Sequence, residues 1–581
     1  MDFHHKSSGD HILFGGSKSG RDKTGRQTVR LVMLGGTGNV TKNMFVYELR
    51  NDGRLTDILI VDCGVGFPEP DMYGVDLIIP DVGYLDDKKN KIRGVVFTHG
   101  HDDHIGGIAY IYPKLGNIPM YGTPLTAAFA NVKLKEAKIS ARVKTCQFSD
   151  FLNLGPFNVS FIRMTHSVPD AANLVISTPV GIFYHGSDFK FDQTPLDGKV
   201  SEMDKIIAAG KRGILCLLTD CLGSERRGFT PSEQVIGETL KREIGHCPGK
   251  FIFTTQSSNI SRIDLAVKIA FAHGRKIAFL GRSIGQNVDE ARNLGYISFS
   301  QDQVVRDRDL RKTPDNKICL IVAGAQGQQN SALHRIAHDN HAFVKIGPGD
   351  TVVISADPIP GNEYDVGLLL EQLFRKEVRV AYSDVTEDLH VSGHGSQGDM
   401  MRLLTAVGPS YIIPIGGTYR HIMQYRQLAA DVGYPKNTVL VPEEGEILEF
   451  STWNAPRVAD TVELENIMVD GLGVGDVKSV VLRDRRTIAT EGIVVIVVPI
   501  DEATGRVTAE PDVISRGFVY MKESEALIGM VKRKVLESLR LKKGRIINWH
   551  FVRKRIEEEI GKFLLKKTGR SPLVVPVIVE V

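Results

Sequence analysis

From residue 27 to about residue 220, short apolar runs recur between polar turns, at residues 58–62, 94–98, 159–164, 181–185 and 213–219. Runs of this length, rich in β-branched residues and bounded by Gly, Asp and Asn, predict strands. The rhythm then changes. Between about residues 224 and 389, strand candidates at 250–253, 276–280, 317–322, 351–354 and 378–381 are separated by helix-like stretches. Strict alternation of strand and helix predicts βαβ units and a parallel sheet covered on both faces, inserted into the first unit. A helix at 396–407 and a strand at 411–415 then return the chain to the first architecture.

The stretch STWNAPRVADTVELEN has no clear period and reads as a linker. The expected organisation is a first unit over 27–223, the insert over 224–389, the remainder of the first unit over 390–450, a linker over 451–470 and a final α/β unit over 471–581. Residues 1–26 are polar and rich in Gly, Ser and Lys, which predicts a tail rather than a secretory leader.

At 581 residues and 42% hydrophobic content the chain has room for several cores. Lys plus Arg number 72 against 69 Asp plus Glu, so attraction to a polyanion has to come from local patches. One candidate patch is residues 531–570, with fourteen Lys or Arg against four Glu and with Trp549, Phe551 and Phe563 interleaved. Such density suits phosphate contacts, and it equally suits the solvated faces of two helices packed on a sheet. No apolar run approaches the roughly 20 residues of a membrane span, so a cytoplasmic protein without membrane attachment is expected. The six cysteines form no C-x-x-C pair, which leaves His and carboxylates as the available metal ligands.

The chemistry concentrates where the apolar run Val95-Val96-Phe97 meets His99, His101, Asp102, Asp103 and His104. Imidazoles and carboxylates packed at a strand end are costly unless paired or ligated, and a cation relieves that cost. His99 and His101 are two apart and point the same way in extended chain, while Asp103 and His104 lie past the turn. The spacing therefore predicts two neighbouring metal positions. His166 and Asp188, each just beyond a strand, are further ligand candidates, although either alone is equally explained as a structural polar residue. Asp62 closes another strand and is placed to orient a ligand imidazole. The run His390-Val-Ser-Gly-His394 before a helix has the form of an anion cradle, or of an ordinary turn and cap.

These residues resemble the H-x-H-x-D-H motif of the metallo-β-lactamase superfamily. Segments 254–262, 281–283, 355–363 and 390–396, with 481–486 and 514–520 in the last unit, are similar to the β-CASP branch, in particular bacterial ribonuclease J, over residues 27–581. The resemblance implies a metallo-β-lactamase αββα sandwich with an inserted parallel-sheet β-CASP domain and a C-terminal α/β domain. It also implies two divalent ions, zinc with manganese or magnesium as alternatives. One ion is held by His99, His101 and His166, the other by Asp103 and His104, with Asp188 bridging and Asp62 and Asp220 behind. Ser392, Gly393, His394 and Arg282 are expected to contact RNA phosphate, and His394 to act as acid or electrostatic stabiliser. The implied activity is 5′-to-3′ exonucleolytic hydrolysis favouring 5′-monophosphate ends, with endonucleolytic cuts, in RNA maturation and decay. Expected partners are RNA, further copies in a dimer or tetramer formed through the last domain, and an RNA-degradation assembly.

Two departures stand out. The family pattern P-x-H-G-x-Y-R reads here Pro414-Ile415-Gly416-Gly417-Thr418-Tyr419-Arg420, so a ligand of the second ion is replaced by glycine. Weaker affinity or a changed metal preference follows at that position, and His421 is not assumed to substitute. The run Gly324-Ala-Gln-Gly-Gln-Gln-Asn330 also differs from the family's usual Gly-Ser-Gln-Gly-Glu-Pro. Two other readings remain open: a hydrolase of small thioesters or lactams, and an inactive subunit that binds RNA.

Overall fold

The computed structural model describes residues 26–359, 361–471, 473–477, 479–501, 506–518, 525–540 and 549–581. The expected N-terminal tail lies, but for Arg26, outside the described residues.

Two sheets packed face to face form the first unit. One has eight strands in the order Arg457–Thr461, Glu446–Ser451, Gln27–Gly35, Met44–Asn51, Arg54–Val61, Ile92–Val96, Met120–Gly122 and Val143–Thr145. The other has six, in the order Tyr411–Ile415, Ile214–Asp220, Ile182–His185, Ala172–Ser177, Phe157–Arg163 and Phe151–Leu154. Period-two alternation divides each strand between two cores. Val29, Leu31, Met33, Phe45 and Val61 meet Phe157, Phe161, Leu174, Phe183 and Leu218 between the sheets. The opposite faces are covered by helices Ile108–Leu115 and Pro124–Glu136 on one side, and by Met203–Lys211, Gln397–Val407 and Tyr419–Asp431 on the other. This is the αββα sandwich.

The inserted sheet is wholly parallel, in the order Lys276–Leu280, Ile318–Val322, Phe251–Thr254, Thr351–Ile354 and Arg379–Tyr382. Its strands are buried on both faces, as the alternation of strand and helix predicted. In the last unit, Ile493–Ile500 pairs with Asp512–Arg516 and with Leu573–Glu580. Val531, Val535, Ile556, Ile560 and Leu564 of its two basic helices pack on that sheet. One face of the basic segment is therefore core. Phe563 is partly buried against it and Phe551 is exposed.

The stretch expected as a linker instead carries two strands. Arg457–Thr461 pairs with Glu446–Ser451, and Ile467–Asp470 pairs with Leu77–Ile79 of the first unit. Arg457–Thr461 lies at the sheet edge with mostly exposed side chains, so backbone pairing forms it and no apolar alternation announces it.

Topology gathers the functional residues. Arg54–Val61 runs parallel to Ile92–Val96, and Ile182–His185 runs parallel to Ile214–Asp220 and Tyr411–Ile415. Phe157–Arg163 is antiparallel to Ala172–Ser177, which is antiparallel to Ile182–His185, so it too points the same way. Asp62, His99, His166, Asp188, Asp220 and Gly416 thus all leave the C-terminal ends of their strands. Among the described residues, no helix is long and apolar enough to cross a membrane.

Candidate metal centre

Three groups of ligating atoms converge, each with its atoms within 4.8 Å of one another: His99, His101, His166 and Asp188; Asp103, His104 and Asp188; and Asp188, Asp220 and His394. Asp188 belongs to all three. Its Oδ2 lies 3.6 Å from both His99 Nε2 and His104 Nε2, 3.8 Å from His166 Nε2 and 3.9 Å from His394 Nε2. The hydrogen bonds of these donors decide how they fit a metal ion.

Those bonds fix which imidazole nitrogens are bare. His104 Nδ1 is 2.7 Å from Asp62 Oδ2, His166 Nδ1 is 2.7 Å from the Gly393 carbonyl, and His394 Nδ1 is 2.8 Å from Asp220 Oδ2. Each partner accepts only, so each Nδ1 carries the proton and donates it, and in the neutral rings of His104 and His166 the lone pair is on Nε2. For His99 the same conclusion follows from counting protons. Ser187 Oγ donates to Thr98 Oγ1 and Thr98 Oγ1 donates to Asp62 Oδ2, so both hydroxyl protons are committed. The hydroxyls lie 3.1 and 3.2 Å from His99 Nδ1 and can only accept from it. Asp62 thus sets the tautomer of His104 directly and that of His99 through Thr98 and Ser187. To do so it adopts a left-handed backbone (φ 62°) and accepts the Thr98 amide as well.

The result is three nitrogens facing inward, His101 Nδ1 being 3.1 Å from both His99 Nε2 and His166 Nε2. In the His101 tautomer that donates Nε2–H to Ser167 Oγ at 3.2 Å, three lone pairs converge and a cation among them relieves their repulsion; three imidazoles with a carboxylate are a zinc-type donor set. Burial and the neighbouring imidazoles hold the His99 and His166 pKa well below the usual value, and burial takes His101 to about 4. Protons therefore compete weakly for these nitrogens. The second group differs. Burial lowers the pKa of His104, but Asp103, Asp188 and Asp62 raise it well above the ordinary value, and burial lifts Asp103 to about 6. His394 is also raised, to about 9, because Asp220 and Asp188 outweigh its burial.

Gly416 stands at this second group. It has φ 65°, and a Cβ built there would lie 3.7 Å from both Asp188 Oδ1 and Asp220 Oδ1. A side chain from 416 would therefore enter the cluster, and glycine leaves that approach open. His421 does not fill it: its Nδ1 accepts from the Thr418 amide in a helix cap, and its Nε2 is 3.6 Å from Glu225.

Ser392 and Gly393 sit beside the first group. Ser392 Oγ accepts the His394 amide, and a Cβ at Gly393 would meet His166 Cε1 at 2.8 Å, so only glycine lets this loop close on the ligand. Arg282 is exposed at the start of helix Arg282–Asn293 and makes no hydrogen bond or ion pair to the cluster. Sequence reasoning missed Thr98, Ser187 and Asn43. The first two abut strand-end ligands, which was a usable signal. Asn43 lies 61 residues from His104 in sequence, yet its Nδ2 is 3.1 Å from His104 Nε2.

Comparison with known proteins agrees with this geometry. The sequence models for the metallo-beta-lactamase superfamily, the ribonuclease J beta-CASP domain, the Zn-dependent metallo-hydrolase RNA specificity domain and the ribonuclease J C-terminal domain match residues 39–181, 248–373, 378–442 and 480–581. Ribonuclease J of Thermus thermophilus is 38% identical, covering 95% of each chain. Ribonuclease J2 of Bacillus subtilis is 34% identical, covering 96% of this chain and all of that one. The chain belongs to the ribonuclease J family. A solved structure, a protein of unknown function from Enterococcus faecalis, matches 73% of this chain and all of its own at a TM-score of 0.51 and 15% identity, a likeness of fold alone. The chain has the architecture of a metal-dependent hydrolase.

Proposed function

We propose that this ribonuclease J family member is a metal-dependent ribonuclease that degrades RNA from 5′-monophosphate ends in the 5′-to-3′ direction and also cuts internally, acting in RNA maturation and decay in the cytoplasm. One observation carries the reading: a single carboxylate, Asp188, is shared by two ligand groups while a protonated His394 faces it at 3.9 Å.

The residues fit two divalent ions, zinc at the three-histidine group and zinc, manganese or magnesium at the other. When bound, such ions supply Lewis acidity and lower the pKa of water from 15.7 towards about 7. The protein's own groups do the rest. Asp62 holds two imidazoles in their ligating tautomer. Asp220 keeps His394 charged and oriented, with Nε2 available to donate to the leaving oxygen or to neutralise it. The Ser392 and Gly393 amides and the Ser392 hydroxyl would meet a phosphate, the His394 amide being donated to Ser392 Oγ. Assembly into a dimer or tetramer through the last domain, and entry into an RNA-degradation complex, are part of the same proposal.

The test is degradation of matched 5′-monophosphate and 5′-triphosphate RNAs with added Zn²⁺, Mn²⁺ or Mg²⁺. The intact chain is compared with a His99→Ala/His101→Ala variant. Mononucleotides released from the monophosphate RNA, and lost in the variant, are expected. RNA binding without cleavage under every metal would overturn the proposal in favour of an inactive RNA-binding subunit, the reading that Gly416 favours.

A further inference from the structure

The inserted domain reaches the catalytic loops through one buried arginine. Arg262, on helix Ile260–Ala272, is 1% exposed, and the donors of its guanidinium group are all engaged. Nε and Nη2 grip Glu233 at 3.0 Å and 2.7 Å, Nη2 also donates to the Val391 carbonyl at 3.0 Å, and Nη1 reaches the Ser355 carbonyl and His390 Nδ1, both at 2.9 Å. Val391 immediately precedes Ser392-Gly393-His394. On the far side, Glu233 accepts from Lys190 Nζ at 3.2 Å, and its backbone amide donates to Asp192. Lys190 is two residues from Asp188, and its amide and carbonyl both bond Thr165, the neighbour of His166.

We propose that Arg262 is a positioning residue. By clamping the carbonyl of Val391 and the ring of His390 to Glu233 it fixes where Gly393 and His394 sit relative to His166 and Asp188. Gly393 closes the circuit, since its carbonyl holds His166 Nδ1. A planar fork is required, because an ammonium cannot make two parallel bonds to Glu233 and also reach Val391, Ser355 and His390. The network also explains why a lysine, a glutamate and an arginine are all buried at this junction, an arrangement tolerated only when each is fully paired. The kinetic arm of the test rests on the ribonuclease reading; the exchange arm does not.

The experiment compares Arg262→Lys and Glu233→Gln with Arg275→Lys in the full-length chain. Arg275 is another buried arginine of the same domain whose partners among the described residues are the carbonyls of Cys247, Gly249 and Ile318, away from the centre. Two readouts are taken: hydrogen exchange of residues 390–396, and kcat and KM on 5′-monophosphate RNA per folded molecule. Arg262→Lys is expected to speed exchange of 390–396 at least tenfold and to lower kcat at least tenfold with KM changed less than threefold. Glu233→Gln moves both in the same direction by less. Arg275→Lys leaves both unchanged, whatever it costs in thermal stability. Unchanged exchange at 390–396 in Arg262→Lys and Glu233→Gln would overturn the proposal, as would an equal fall in kcat for all three variants. Inactivity of the unmodified chain with the expected exchange pattern would count against the ribonuclease reading and leave the clamp standing.

Discussion

The two ligand groups share Asp188 and are built on opposite principles. The first takes three imidazoles from two loops, all with low proton affinity and with three ring nitrogens turned inward within 3.1 Å of a neighbour. The second has one imidazole, two carboxylates and, at Gly416, a backbone position without a side chain. A soft, nitrogen-rich, preorganised group binds its ion tightly, whereas an oxygen-rich group with an open approach exchanges its ion and is less selective. We expect from this asymmetry that the first position is the anchor and the second the adjustable one.

Removing what the groups share should have the largest effect. Asp188→Ala is expected to cost both ions and several kcal/mol of charge stabilisation, a fall of about 10³-fold or more in hydrolysis. Metal analysis of the dialysed variant checks this, and two ions retained per chain would refute the bridging role. Gly416→His comes next and acts on one side only. The new imidazole enters beside Asp188 and Asp220, and second-site affinity should rise about tenfold or more, against about 1–2 kcal/mol of stability lost to the left-handed backbone. Metal titration of the variant should leave the first affinity unchanged.

How much of this could be read from sequence divides along the same line. Strand-end clusters such as His99 to His104 are legible because an apolar run followed by dense ionisable residues has few other uses. The inserted parallel sheet was legible because short, mostly apolar runs such as 276–280 and 351–354 alternate with helix-like stretches, and they became strands over those same residues. What sequence could not supply is partnership across long separations. Arg262 lies within a motif yet meets Glu233 and Val391, 29 and 129 residues away. Arg457–Thr461 is held by backbone pairing that leaves no pattern in its side chains. Arg282, expected to contact phosphate, stands exposed at the start of its helix.

Two intermediate effects sharpen the contrast. Asp62→Asn keeps the shape but presents an amide N–H to His104 Nδ1, forcing the ring proton to Nε2 and removing it as a ligand. Second-site affinity should fall about 10- to 100-fold, with a smaller loss at the first site through Thr98 and His99. Acid should act in the same order. His104, with its raised pKa, and Asp103, at about 6, take up protons before His101, which stays neutral to about pH 4. Because proton and metal compete for the same nitrogen, lowering pH from 8 to 6 should release the second ion first. Simultaneous loss of both ions in a pH-stepped dialysis would argue against two unlike sites.

The smallest effect expected is Ser187→Ala. Its hydroxyl proton goes to Thr98 and its oxygen accepts from His99 Nδ1, but Thr98 Oγ1 lies 3.1 Å from the same nitrogen and keeps its own bond to Asp62. Losing Ser187 removes one of two acceptors and leaves the tautomer of His99 set, so first-site affinity should drop only about threefold, below the usual range for a sole supporting partner. Thr98→Val removes the link to Asp62 itself, and the remaining Ser187 hydroxyl is then free to donate to Nδ1 and release the ring proton to Nε2. The loss should exceed that of Ser187→Ala and fall on the first site alone. Equal losses from the two variants would show that the hydroxyls act as simple acceptors and that Asp62 does not govern His99.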